Sequence, residues 1–155
     1  MKLTEFTFVK EFIDFAEAGW QKGWHERNGG NLSYRVPAKD IEACYDLLDF
    51  SRPYTPIGTA VPTLSGQYFL VTGSGKYMSN VQKDPEDTCA LIELDDAGEK
   101  YRIVWGLING GRPTSELPTH LMNHEVKMLA TGGAAWPLQS IGSPCRSGHC
   151  PPTNR

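Results

Sequence analysis

Phe8, Phe12, Phe15, Ala16 and Trp20 recur at close to helical spacing, with Lys10, Glu11, Asp14 and Glu17 between them. That pattern predicts an amphipathic helix over residues 3–20, closed by Gly19 and Gly23. Asn31-Leu32-Ser33-Tyr34-Arg35-Val36 alternates polar and apolar residues, as a half-buried strand does, and Pro37 ends it. Residues 39–49 fit a short helix, and 51–66, rich in Pro, Ser, Thr and Gly, a loop. Phe69-Leu70-Val71-Thr72, bounded by Gly66 and Gly73, reads as a buried strand. Residues 90–94 and 101–105 read as a hairpin, with turn chemistry in Asp95-Asp96-Ala97-Gly98. Thr114 or Ser115 can cap a helix from about Glu116 to Ala130, with Leu117, Leu121, Val126 and Leu129 turned partly inward. Thr131-Gly132-Gly133 stops it. This order of elements predicts an α/β fold, a sheet covered by helices.

The chain has 155 residues, 39% hydrophobic and 21% charged, which excludes a disordered, collagen-like or coiled-coil protein. Fifteen basic against eighteen acidic residues give −3, so no strong basic field invites nucleic acid or an anionic membrane. No run approaches the roughly 18 apolar residues of a membrane span. Residues 1–6 lack the pattern of a signal peptide, so the expected place is the cytoplasm, where Cys44, Cys89, Cys145 and Cys150 stay reduced. Cys44 and Cys89 read as small core residues. The averages hide a break. The last acidic residue is Glu125, and residues 133–155 hold four Pro, three Gly and three Ser without periodicity.

Three loops carry candidate chemistry. Asn28-Gly29-Gly30-Asn31 leads into a strand, and its glycines and backbone N–H groups suit a phosphate nest. Read alone, it is also an ordinary tight turn. Thr72-Gly73-Ser74-Gly75-Lys76 follows a strand and looks like half a P-loop. The full motif fails, because Leu70 stands where the first glycine belongs and Tyr77 follows the lysine. Ligands nonetheless gather where strands of an open α/β sheet end. Pro113-Thr114-Ser115-Glu116-Leu117-Pro118 places two hydroxyls and a carboxylate at a helix start. Capping alone accounts for them, yet the same geometry can hold an anion and present a general base.

His120 and His124 share a helix face but lack the intervening glutamate of a zinc-protease motif, so they read as solvated helix histidines. Cys145, His149 and Cys150 match no standard zinc spacing.

Taken together and in order, residues 23–33, 71–76, 105–107 and 113–120 strongly resemble the N-terminal half of the rhamnulose-1-phosphate aldolases of the class II aldolase/adducin superfamily. The resemblance runs from near the N-terminus to about Gly132. It implies an α/β/α sandwich around a central mixed sheet, assembled as a homotetramer. It implies a lyase, which cleaves L-rhamnulose 1-phosphate into dihydroxyacetone phosphate and L-lactaldehyde with zinc as cofactor. Carried over residue by residue, it implies a phosphate cradle of Asn28, Gly30, Asn31, Ser74, Gly75, Thr114 and Ser115, and Glu116 as the catalytic acid/base. Physical chemistry agrees: a phosphate dianion favours N–H and O–H donors, and a proton moved beside a carbonyl needs a carboxylate.

The chain departs from the family after Gly132. The family's zinc ligands, a His-x-His pair and a distal histidine, have no counterpart here, so no metal ligand is assigned and zinc is not expected to be retained. The expectation is a truncated fold. Residues 1–132 would be the aldolase part, carrying −5 by loss of Arg146 and Arg155 from the total of −3, and 133–155 a non-homologous, disordered tail read out of register. Such a chain would be inactive. A non-catalytic, adducin-like phosphate-binding scaffold is the alternative.

Overall fold

The structure, a computed structural model, describes residues 2–21, 31–74, 81, 83–131 and 138–141. Helix α1 spans Thr7–Gln21 and buries Phe8, Val9, Phe12 and Ala16 while exposing Lys10, Glu11 and Asp14. It begins later than predicted. Residues 3–5 form a separate 3-10 turn, and Phe6 is extended between the two.

Strand β1 (Asn31–Val36) is followed by α2 (Ala38–Cys44), the two-residue β2 (Thr55–Pro56) and β3 (Tyr68–Thr72). Then come α3 (Pro85–Thr88), β4 (Cys89–Leu94), β5 (Lys100–Gly106), α4 (Leu117–Thr131) and β6 (Leu138–Ile141). The strands form one sheet in the order β2-β5-β4-β3-β1-β6. Each described pairing is antiparallel, so the mixed character that the resemblance implies is not seen in these strands. β6 lies inside the stretch expected to be a structureless tail. Its four residues pair with β1, from Asn31↔Ile141 to Tyr34↔Leu138.

The sheet is covered on both faces. Leu70 of β3 and Leu91 of β4 pack with Phe8, Phe12 and Ile41 on the α1–α2 side. Phe69, Val71 and Ile92 pack with Leu117 and Leu121 on the α4 side. The central strands are buried on both faces, which is why 69–71 and 90–92 read as unbroken apolar runs. These layers are those of the α/β/α sandwich that the resemblance implies.

The β4–β5 connection follows its turn chemistry. Asp95 Oδ1 accepts the N–H groups of Glu99 (2.9 Å) and Lys100 (3.2 Å). At the other end Gly106 has φ +90°, and a Cβ there would lie 2.2 Å from the Cys89 carbonyl oxygen, so only glycine fits. Cys44 and Cys89 are free and buried, as expected of core residues.

Helix α4 sits in a different rotation from the one its hydropathy predicts. Leu117 and Leu121 are buried, but Val126 and Leu129 are 63% and 68% exposed. His120 and His124 take the inward positions instead. Among the described residues no helix is long and apolar enough to cross a membrane.

Candidate functional site

The start of β1, the end of β3 and the start of α4 meet in one corner. β1 and β3 pair at Ser33↔Val71, and one step on the Leu32 N–H donates to Thr72 Oγ1 at 3.1 Å. Past the end of β3, Gly73 bridges Pro113. The Thr114 N–H donates to the Thr72 carbonyl (2.9 Å) and the Ser74 N–H to the Arg112 carbonyl (2.7 Å). This cross-linking sets Thr114 opposite Thr72 and Ser74 opposite Arg112, and the Thr72 hydroxyl ties the pair to β1 at Leu32, one residue after Asn31. The three segments that carry Asn31, Ser74 and Thr114-Ser115-Glu116 are therefore tied to one another from distant parts of the chain. Asn28, Gly30 and Gly75 lie outside the described residues.

Thr114 caps the helix. Its Oγ1 accepts the Glu116 N–H at 3.2 Å, and its carbonyl accepts the Leu117 N–H at 3.0 Å. The hydroxyl keeps its own proton for another acceptor. Ser115 and Glu116 are exposed beside it, while Thr114 is buried. A cleft of about 520 Å³ opens on the β2–β5 side of Thr114 and Ser115, lined also by Arg112, Tyr101 and Thr55, and Asn31, Ser74 and Glu116 are not part of its lining.

The two histidines correct the expectation of solvated side chains: His120 and His124 are 0% and 2% exposed. Ser33 Oγ lies 2.6 Å from His120 Nδ1 and 2.8 Å from His124 Nε2. His120 Nε2 is hydrogen-bonded to Asn31 Oδ1. The Phe69 ring packs on His124, 5.1 Å between centroids. Burial penalises the charged form and is the main cause that lowers both pKa values, to about 4 for His120 and about 3 for His124. Nearby Lys127 adds to it at both, after the His120 ring in the case of His124. Both rings are neutral at physiological pH. Sequence reasoning missed them, although a signal was present: they share the inward stripe of Leu117 and Leu121, and Asn31 and Ser33 are polar two apart on one strand face.

The zinc that the resemblance implies does not fit the described residues. Among them no three His, Cys, Asp or Glu side chains come together. Both ring nitrogens of His120 and the Nε2 of His124 are committed to Asn31 and Ser33. His149, Cys145 and Cys150 lie outside the described residues.

Residues 10–130 match the class II aldolase and adducin N-terminal domain. The rhamnulose-1-phosphate aldolase of Mannheimia succiniciproducens is 47% identical over 126 residues, which are 81% of this chain and 46% of that protein. The corresponding aldolase of Pectobacterium carotovorum is 44% identical over 127 residues, again 81% and 46%. One from Escherichia coli is 41% identical over 131 residues, 84% and 48%. A sugar-phosphate aldolase of Thermotoga maritima has a similar crystal structure, with a TM-score of 0.58 at 29% identity over 79% of this chain and 47% of that one. The chain spans about half the length of the curated relatives it matches.

Proposed function

The chain belongs to the family of class II aldolase and adducin N-terminal domains, and on that footing we propose that it carries the phosphate pocket and the acid/base of a sugar-phosphate aldolase. The reaction is retro-aldol cleavage of L-rhamnulose 1-phosphate to dihydroxyacetone phosphate and L-lactaldehyde. The observation that supports it is the convergence of the β1, β3 and α4 corners, with the hydroxyls of Ser74, Thr114 and Ser115 and the amide of Asn31 as uncharged donors. Such donors suit a phosphate dianion. Asn28, Gly30 and Gly75 complete the cradle in this reading.

Glu116 stands one helical turn before His120 and is solvent-accessible, so its carboxylate can meet a substrate anchored at the cradle. As the C–C bond breaks, the hydroxyl on the departing carbon gives up its proton and becomes the aldehyde carbonyl, and the bonding pair stays on the carbon beside the ketone. Overall one proton leaves oxygen and one arrives at carbon, delivered there by Glu116 as the acid. In the synthetic direction the carboxylate removes that proton. A phosphate-binding scaffold has no use for this carboxylate, which favours the enzyme.

The proposal includes the division of the chain near Gly132, a homotetramer and zinc chemistry for the whole enzyme. For this chain alone we expect neither tight zinc binding nor turnover, since its histidines, His25, His120, His124 and His149, contain no His-x-His pair. The test is titration with dihydroxyacetone phosphate followed by backbone amide shifts. Shifts centred on Asn31, Ser74, Thr114 and Ser115 are expected, and their absence at millimolar ligand would sink the reading.

A further inference from the structure

The buried polar cluster that joins β1 to α4 has a direction. Asn31 is 93% buried by its 7% exposure and presents Oδ1, an acceptor, to His120 Nε2, so that nitrogen carries the proton. A neutral imidazole holds one N–H, so His120 Nδ1 is an acceptor and accepts the hydrogen bond that the Ser33 hydroxyl donates across 2.6 Å. Ser33 Oγ is then left as the acceptor for His124 Nε2–H across 2.8 Å. The chain of donors runs His124, Ser33, His120, Asn31, and each link fixes the next.

We infer that His120, held by Ser33 and His124, is a positioning residue that orients the Asn31 amide. With its oxygen capped by His120, the amide has only its two Nδ2–H donors left to offer a ligand. That is the orientation an anion requires. The reverse chain, with Nδ1–H on His120, would point the Asn31 nitrogen at the histidine and its oxygen at the ligand. The inference rests on the phosphate-pocket reading and adds three residues to it, none of which touches the substrate. It also gives these histidines a role beyond packing, since an apolar helix face would fill the same space without the cost of burying three polar groups.

The experiment has two parts on the intact chain. Long-range ¹H–¹⁵N NMR reads the tautomers directly: Nε2–H on both His120 and His124 is expected, and Nδ1–H on His120 overturns the inference. Inorganic phosphate is then titrated into the wild type, His120→Gln and His120→Asn. Glutamine places its terminal amide where Nε2 stood and can still donate to Asn31, whereas asparagine reaches only the Nδ1 position. His120→Asn is expected to bind phosphate about tenfold more weakly, the value of one hydrogen bond to a charged group. His120→Gln should stay within about threefold of wild type. Equal affinity in all three proteins overturns the inference and leaves the phosphate pocket standing. A wild type that shows no phosphate binding overturns the pocket, and the role of His120 with it. If neither variant folds, the wild-type tautomers decide.

Discussion

Acidification should weaken this fold well above the range in which carboxylates titrate. His120 and His124 have folded-state pKa values lowered to about 4 and about 3 by burial. The unfolded chain protonates both near the ordinary value of about 6.5. Below that pH the unfolded state binds more protons than the folded state, so stability falls as pH falls. The stabilisation is complete above about pH 7.5 and declines by about 1.4 kcal/mol per pH unit for each histidine once pH passes 6.5. At pH 5 each has lost about 2 kcal/mol, about 4 kcal/mol together, a large part of a typical domain's 5–15 kcal/mol. The assay is urea unfolding followed by tryptophan fluorescence at half-unit steps from pH 7.5 to 5. A steep fall is expected for the wild type, and a nearly flat profile for His120→Gln/His124→Gln, whatever its absolute stability. A wild-type stability constant to within about 0.5 kcal/mol over this range would mean that the histidines are solvated after all, and would refute the buried chain.

Three further predictions concern stability. Ser33→Ala strands two buried ring nitrogens and should cost about 2 kcal/mol, read as a fall in the urea midpoint at pH 7.5. The rotation of α4 separates two substitutions that hydropathy alone would rank together: Leu121→Ala should cost about 2–5 kcal/mol and Val126→Ala less than about 0.5, and comparable losses would restore the original helix face. Gly106→Ala forces a Cβ to 2.2 Å from the Cys89 carbonyl at φ +90°, so thermal unfolding should show a loss of at least about 2 kcal/mol.

Much of this fold was legible because burial leaves a mark on sequence. β3 and β4 are covered on both faces and read as continuous apolar runs. The β4–β5 hairpin announced itself through Asp95 and Gly98, and α1 through its spaced aromatics. The misses have physical reasons. β2 has two residues and α3 four, too short to show a period. The rotation of α4 was misread because histidine counts as polar until a partner is known, and its partners Ser33 and Asn31 lie 87 or more positions away. β6 is held by pairing with β1 rather than by any alternation of its own. Of the site, Asn31, Ser74, Thr114, Ser115 and Glu116 were all named from loop chemistry and resemblance, and they fall on three segments that backbone and Thr72 hydrogen bonds tie to one another. The layer that holds Asn31 was invisible, because only the fold brings His120 and His124 onto β1.

Residues 1–131 are proposed to supply the phosphate pocket and the acid/base of an aldolase. The most direct measurement joins these residues to the C-terminal half of the Escherichia coli relative, which is 41% identical over the shared part. Cleavage of L-rhamnulose 1-phosphate by the folded, zinc-loaded chimera is then followed. Turnover is expected, reduced at least about a hundredfold by Glu116→Gln with substrate affinity little changed. A well-folded chimera that does not cleave the substrate, or one that Glu116→Gln leaves fully active, would contradict it.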